Sequence, residues 1–145
     1  MVKKYQILEG IARADVAYQV FGKTIEELFV NAAEAVSQTM VDITAVQPLL
    51  SSKCKVQSSK LEELFLDFIN ELIFLKDAKN LIFSKYQLKI THLDARNYQL
   101  DAFLWGDKID PKKHKLRLDV KAVTRHKLNI KKAGNIYEAI IVLDI

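Results

Sequence analysis

The chain has 145 residues, of which 50% are hydrophobic and 28% are charged, and its formal net charge is +4. These values exclude an intrinsically disordered chain, and the length predicts one domain over residues 1–145. The only cysteine, Cys54, excludes an internal disulfide and gives no zinc pattern, which favours a reducing compartment. The strongest apolar stretch, residues 64–75, is broken by polar residues, and residues 1–5 lack the apolar core of a signal peptide. We therefore expect a cytoplasmic protein that neither spans nor binds a membrane.

Two strands and a helix are predicted first. Residues 5–9 and 16–21 have strand patterns and are separated by a loop. Thr24 and Glu27 then form a capping box, in which both side chains satisfy free amides of a first helical turn. Apolar residues recur at helical spacing after this motif, which predicts a helix that ends near Val41.

A second helix follows a loop through Pro48 and a short polar strand at residues 53–57. Ser59 and Glu62 have the spacing of a second capping box. The apolar face that follows, up to Leu75, is wide, so we expect this helix to be more deeply buried than the first.

The remaining chain predicts strands. Residues 85–90 and 98–104 alternate apolar and polar side chains with a period of two. Further strands are predicted at residues 116–123, 127–130 and 137–143, with a hairpin turn at 133–135. The order predicts an α+β two-layer domain, with two helices packed on one face of a mainly antiparallel sheet. Four basic residues are expected on the other face: Lys85, Lys89, Arg117 and Lys121.

Asp144 follows an apolar run in the last predicted strand. Chain ends are usually frayed and polar, so a carboxylate attached to a core strand is expected to be held in place. We expect Asp144 to meet Asp15, Lys121 and the C-terminal carboxylate. Fixed carboxylates suit a hard divalent cation, which prefers oxygen ligands. The alternatives are that Asp144 is a polar strand end and that Lys121 pairs with a carboxylate in place of a metal.

The excess positive charge lies in the last third of the chain. Residues 108–132 hold ten Lys or Arg and two Asp, a local excess of eight. Such a region attracts phosphates or an acidic partner, and Lys112, Lys113, Arg117 and Lys127 are its candidate contacts. The alternative is a solvated face, because no aromatic residues lie among these lysines as in a stacking platform for single strands.

No catalytic constellation is recognisable. The four glycines do not form a phosphate-binding loop, and His92, His114 and His126 lack the spacing of a zinc hydrolase. We expect His92 to be an ordinary surface residue, His114 to stabilise its own turn by hydrogen bonding, and His126 to lie near the carboxylates. A metal-dependent phosphoesterase that uses Asp15 and Asp144 remains an alternative.

Several segments together resemble the archease family. They cover nearly the whole chain, in the order of the family, and they are Ala14-Asp-Val-Ala17, Phe21-Gly-Lys-Thr-Ile-Glu-Glu27, Leu72 through Leu81-Ile-Phe-Ser-Lys85, Ile109-Asp-Pro-Lys-Lys-His114, Asp119-Val-Lys-Ala-Val-Thr-Arg-His126 and Val142-Leu-Asp-Ile145. The chain departs from the family pattern at residues 12–17, where the usual histidine is absent and alanine replaces a glycine. Arg125 stands where a tyrosine often precedes the histidine.

The resemblance implies a protein that is not an enzyme but a cofactor of the tRNA-splicing RNA ligase. Such proteins promote guanylylation of the ligase, which then turns over repeatedly, and they meet tRNA through the ligase. A divalent cation, calcium or else magnesium or manganese, is implied as cofactor. Its implied ligands are Asp15, Asp144 and a backbone oxygen of Ile145. Lys121 and His126 are the residues expected to serve activation of the partner.

Overall fold

The computed structural model describes residues 3–8 and 15–145. The loop predicted at residues 10–15 therefore lies outside the described residues, except for Asp15, which belongs to a strand instead. Two α-helices and eight strands are found in the described part of the chain. In chain order they are β1 Tyr5–Leu8, β2 Asp15–Gly22, α1 Ile25–Met40, β3 Leu50–Ser58, α2 Leu61–Lys79, β4 Leu81–Asp94, β5 Asn97–Lys108, β6 Ala122–Thr124, β7 Lys131–Ala133 and β8 Ile136–Asp144. A short 3-10 helix, Ile43–Ala45, follows α1.

The strands form two antiparallel sheets, whereas the sequence predicted one. The five-stranded sheet has the order β1-β2-β8-β6, and β7 also pairs with β8. The three-stranded sheet has the order β3-β5-β4. Helix α1 contacts β1, β2 and β8 and also β4, while α2 contacts the three-stranded sheet and β6. The predicted α+β two-layer class is confirmed, with helices packed on mainly antiparallel sheets.

The predicted strand at residues 116–123 is wrong over most of its length. Leu116 makes only an isolated bridge with Val41. The next two amides bond to the free carbonyls at the end of α1, since Arg117 N donates to Met40 O at 2.9 Å and Leu118 N to Thr39 O at 3.1 Å. The last carbonyls of a helix have no partner within the helix. Here they accept from amides that would otherwise pair with a neighbouring strand.

The predicted strand at residues 127–130 is also wrong. Leu128 N donates to Arg125 O at 3.1 Å and Lys127 has a left-handed φ of 60°, so the chain turns there. The strand in this region, β7, begins only at Lys131.

The helix caps match the predictions at α1 and differ at α2. Thr24 Oγ1 accepts from Glu27 N at 3.0 Å, as predicted, and the helix ends at Met40. The N-cap of α2 is Lys60 without a side-chain cap bond, so the predicted Ser59 capping box is wrong. Glu62 instead accepts from Ile130 N at 3.0 Å. This amide, far along the chain, replaces the amide of the first helical turn as the donor to Glu62.

The core lies between the helices and the two sheets. Phe29 of α1 meets Phe65 of α2 edge to face, with ring centroids 5.2 Å apart, and stacks with Phe68 at 6.2 Å. All three side chains are fully buried. Among the described residues, no helix combines the length and the apolar character that crossing a bilayer would require.

Candidate functional site

Asp15 and Asp144 are directly opposed across two neighbouring strands. Asp15 is the first residue of β2 and Asp144 the last of β8, and the antiparallel register pairs them. Directly opposed residues project from the same face, with Cβ atoms about 4.5–5.5 Å apart. The register therefore brings the two predicted carboxylates together on one face of the five-stranded sheet.

This pair lies at the border between a buried strip and solvent. Ala17 and Val142 form the next opposed pair on that face, and each is 1% exposed. Asp15 is half-buried and Asp144 is exposed. The carboxylates are thus fixed to core strands and remain accessible to a ligand or a partner from one side.

Lys121 and Ala122 flank Asp144 on the other edge of β8. Lys121 N donates to the carbonyl oxygen of Asp144 at 2.8 Å, and Ala122 is the register partner of Asp144 in β6. The Lys121 side chain is exposed. Ile145 is half-buried and packs against the core, which keeps its backbone oxygens near the pair.

The charge at this position is not balanced by described residues. Within residues 3–8 and 15–145, no lysine or arginine forms a salt bridge with Asp15 or Asp144. Opposed like charges destabilise a strand pair, so a cation between them is favourable. Two carboxylates with a nearby backbone oxygen have the hard-oxygen chemistry of a divalent cation site. The described residues hold no group of three or more His, Cys, Asp or Glu, so water or backbone oxygens would complete such a shell.

Helix α2 holds the segment that places β6 beside β8. Arg125 donates to both carboxylate oxygens of Glu63, and the Arg125 Nη2–Glu63 Oε2 distance is 2.8 Å. Val123 N donates to Asn70 Oδ1 at 3.2 Å. The sequence analysis missed these contacts, because the helix residues involved have ordinary helix-surface identities.

Lys76 is a further anchor that the sequence analysis missed. Its ammonium, 9% exposed, donates to Asp119 Oδ1 at 2.5 Å and to Val120 O at 2.9 Å. Burial lowers the pKa of Lys76, but its bonds to Asp119 and Asp77 outweigh this and raise the pKa overall. The hydrogen bond and the charge of Lys76 hold the pKa of Asp119 below its usual value. A charged lysine inside an apolar helical stretch is the feature of the sequence that could have indicated this anchor.

The three histidines lie in different places. His114 is 2% exposed, and its Nδ1 accepts from Asp110 N at 3.0 Å, which confirms that it stabilises its turn. His92 is exposed and stacks on Tyr98, with ring centroids 4.4 Å apart. β6 runs away from Asp144, from Ala122 opposite Asp144 to Thr124 opposite Val142. His126, two residues further on, is therefore not placed beside the carboxylates, contrary to expectation.

The four candidate basic contacts are attached to different elements. Arg117 is held at the end of α1, where its Nη1 donates to Gln38 O at 3.2 Å and its Nη2 lies 3.8 Å from Asp42 Oδ2. Lys127 lines a depression of about 190 Å³ beside Gln19 and Ile140. Lys112 and Lys113 are exposed in the turn after β5. The four therefore belong to separate segments of the fold, and RNA or partner binding by any of them stays a prediction.

Comparison with known proteins agrees with this architecture over the whole chain. The family model described as "Archease protein family (MTH1598/TM1083)" matches residues 5–145. The chain is 35% identical over 144 residues to the protein archease of Sulfurisphaera tokodaii, covering 99% of this chain and 100% of that one. It is 37% identical over 138 residues to the protein archease of Pyrobaculum neutrophilum, covering 94% and 92%.

Two solved structures have the same fold. The solution structure of Methanobacterium thermoautotrophicum protein 1598 matches with a TM-score of 0.86 and 29% identity, covering 99% of this chain and 100% of that one. The Thermotoga maritima crystal structure, described as an archease and possible chaperone, matches with a TM-score of 0.62 and 20% identity, covering 97% and 98%. On the match to the family model and on these relatives, the chain belongs to the archease family.

Proposed function

We propose that this protein is a non-catalytic activator of the tRNA-splicing RNA ligase, promoting guanylylation and repeated turnover of that ligase. The observation that carries the proposal is the opposition of Asp15 and Asp144 at the ends of β2 and β8. Membership of the archease family supports a protein partner, and the Thermotoga maritima relative is itself described as a possible chaperone.

Asp15, Asp144 and a backbone oxygen of Ile145 would hold a divalent cation. Calcium, magnesium and manganese all favour such oxygen ligands. A bound divalent cation would supply charge neutralisation and orientation to phosphate groups, which dominate the chemistry of phosphoryl transfer. The exposed position of Asp144 would let the site face an active centre of the ligase.

The residues around Asp144 would keep the paired ends of β2 and β8 rigid and would contact the partner. Lys121 N and the β2 register fix the backbone of Asp144 from both sides. The exposed Lys121 ammonium, one residue from the register partner of Asp144, would contact a phosphate of the nucleotide or of the ligase substrate. His126 lies further along the same segment and would contact the ligase rather than the cation.

A guanylylation time course tests the proposal. A 3′-phosphate RNA ligase is incubated with GTP, with or without this protein, and ligase–GMP adduct is measured together with turnovers per ligase. We expect stimulation by the wild-type protein and its loss with Asp144→Ala. Asp67→Ala is the matched control, because Asp67 is an exposed carboxylate on α2 that accepts from Ser58 Oγ at 2.9 Å and lies outside the β2–β8 pair. Equal stimulation by Asp144→Ala at matched concentration would reject the proposed role.

The same proteins test the enzymatic alternative. If the purified protein hydrolyses a phosphodiester and Asp15→Asn abolishes that hydrolysis, the site is that of a phosphoesterase. We expect no hydrolysis above the level of a protein-free control.

Lys121→Ala and His126→Ala are expected to reduce ligase stimulation while leaving metal binding unchanged. This result would separate the contact with the ligase from the binding of the cation.

A further inference from the structure

The outward face of the three-stranded sheet displays an aromatic pair. Leu100, Ala102 and Leu104 of β5 are buried toward the helices. Because side chains alternate along a strand, Phe103 and Trp105 project from the opposite face. Phe103 is 43% exposed and Trp105 is half-buried. The pair lies on the central strand, so both rings are in the middle of the open sheet.

The two rings form a continuous surface. Their centroids are 6.2 Å apart and their planes differ by 24°, so the rings are nearly parallel and in offset contact. RNA-recognition sheets stack two or three bases on aromatic side chains that project from the open face of the sheet. Aromatic side chains that lie together and partly exposed on a surface are typical of a binding site.

Lysines surround this pair on both edge strands. Lys85 of β4 is the register partner of Trp105, and Lys53 of β3 is that of Phe103. Their ammonium groups lie 5.1 Å from the Trp105 ring and 5.6 Å from the Phe103 ring. Each ammonium thus lies over the face of its ring in a cation–π contact. A base that stacks on the ring would take the place of the ammonium, and the flexible lysine would turn to the adjacent phosphate.

The same arrangement continues one row further. Lys55 and Lys89 are register partners of Asp101, which lies between them on β5. All four lysines are exposed. Asp101 accepts from Gln99 Nε2 at 2.8 Å, so this carboxylate is already hydrogen-bonded on the sheet. Four lysines against two aspartates, Asp101 and the half-buried Asp107 on the same side of β5, leave the face cationic. Its other positions on the three strands are polar: Ser51, Gln57, Gln87, Thr91 and Gln99.

We propose that this face, defined by Phe103, Trp105, Lys53, Lys55, Lys85 and Lys89, binds single-stranded RNA. Two bases stack on the aromatic rings, and the lysines on the edge strands contact the flanking phosphates. The neutral amides and hydroxyls supply partners for base edges and 2′-hydroxyls. The stacking rings and lysines carry the assignment to single-stranded nucleic acid, and the choice of RNA rests on the proposed function.

The location adds a second binding element to the protein. The carboxylate pair belongs to the five-stranded sheet, whereas the RNA face belongs to the three-stranded sheet. RNA contact therefore needs neither Asp15 nor Asp144. Binding of RNA by this face would hold the substrate of the partner close to the activator.

The protein contains a built-in reporter for this proposal. Trp105 is the only tryptophan of the chain, so tryptophan fluorescence reports on this face alone. An unlabelled oligouridine RNA is titrated into the full-length protein, and we expect quenching that saturates. Phe103→Ala should weaken binding roughly 5- to 100-fold, the usual effect of losing one stacked base. Phe103→Tyr keeps the ring and should keep the affinity.

Matched variants separate this face from the rest of the surface. Phe74→Ala removes another aromatic residue, 55% exposed on α2, and should change nothing. Lys53→Gln combined with Lys85→Gln should make the slope of log affinity against log salt less negative by about 0.7 for each phosphate that is no longer neutralised. Lys23→Gln combined with Lys79→Gln removes as much charge from exposed positions before α1 and at the end of α2, and should leave the slope unchanged.

Four results would overturn the proposal. The first is the absence of Trp105 quenching by RNA, and the second is equal weakening by Phe103→Ala and Phe74→Ala. The third is lysine-dependent binding of polyglutamate without a change at Trp105, which would assign the face to an acidic protein. The fourth is tighter binding of oligothymidine DNA, which would overturn the choice of RNA. Since Asp144→Ala is expected to bind RNA normally, failure here is distinguishable from failure of the proposed ligase activation.

Discussion

The Lys76 ammonium at the end of α2 is bonded to Asp119, and this contact ties the segment before β6 to the helix. The ammonium is buried, whereas the Asp119 side chain is 74% exposed. The pair therefore acts as an anchor at the surface, where screening by water limits its contribution to stability.

Asp119→Asn is expected to lower the free energy of unfolding by about 1 kcal/mol at pH 7, because it leaves the Lys76 charge with weaker partners. The pKa of Asp119 is lowered from 3.8, so the stabilisation is present above that pH and is lost as pH falls through the lower folded value. The pKa of Lys76 is raised from 10.5, so the contribution persists up to that pH and is lost as pH rises through the higher folded value. Urea denaturation of both proteins across pH measures the difference, which should be constant from about pH 5 to 10. A difference that does not shrink in acid would contradict this account.

The opposition of Asp15 and Asp144 predicts that the effect of Asp144→Asn on stability reverses when a divalent cation is present. In chelator, Asp144→Asn should raise stability by about 0.2–1 kcal/mol, because it removes a like-charge pair from opposed positions. With calcium, magnesium or manganese in excess, the wild-type protein should gain thermal stability that the variant lacks. Thermal unfolding with and without each cation measures both effects, with Asp67→Asn as control. An equal gain for the variant would show that the cation binds elsewhere.

The single cysteine predicts a thiol that is inert in the native state. Burial, followed by the charge of Glu71, raises the pKa of Cys54 to about 11. Only the thiolate reacts, so the native protein should react very slowly with Ellman's reagent at pH 8 and rapidly once unfolded in urea. Fast modification under native conditions would show that β3 opens easily.

Substitution of Gly106 and of Gly134 is expected to lower the free energy of unfolding by different amounts. A Cβ at Gly106 would lie 1.9 Å from the backbone oxygen of Ile82, so Gly106→Ala should destabilise by about 2–3 kcal/mol. At Gly134 nothing lies within 4 Å, but φ is +65°. Gly134→Ala should therefore cost about 1 kcal/mol, and Gly134→Asn should cost less, since asparagine tolerates this conformation. Chemical denaturation of the three variants measures the order, and a Gly134→Ala cost as large as that of Gly106→Ala would contradict it.

Local sequence patterns were sufficient to predict the helices and to predict which side chains of a strand share a face. The Thr24 cap and the helical spacing predicted α1, and the alternation of Leu100, Ala102 and Leu104 already required Phe103 and Trp105 to face the other way. The aromatic face was nevertheless not predicted, because the excess of basic residues in the sequence lies at 108–132. The lysines of the face come from β3 and β4, which are distant in the chain from that excess of charge.

The sequence by itself determined the fold class, the family and the position of Asp144 at the end of the last strand, because periodicity and motif are properties of neighbouring residues. Asp15 was predicted in a loop, and the structure makes it the first residue of β2. Only the tertiary structure decided that the strands divide into two sheets and that residues 117 and 118 complete the end of α1 instead of a ladder. It also decided which lysines flank the aromatic pair and that His126 lies away from Asp144. The physical reason is that strand register and helix-end hydrogen bonds are made between residues far apart in the chain. Packing of the whole core decides which of these hydrogen bonds form.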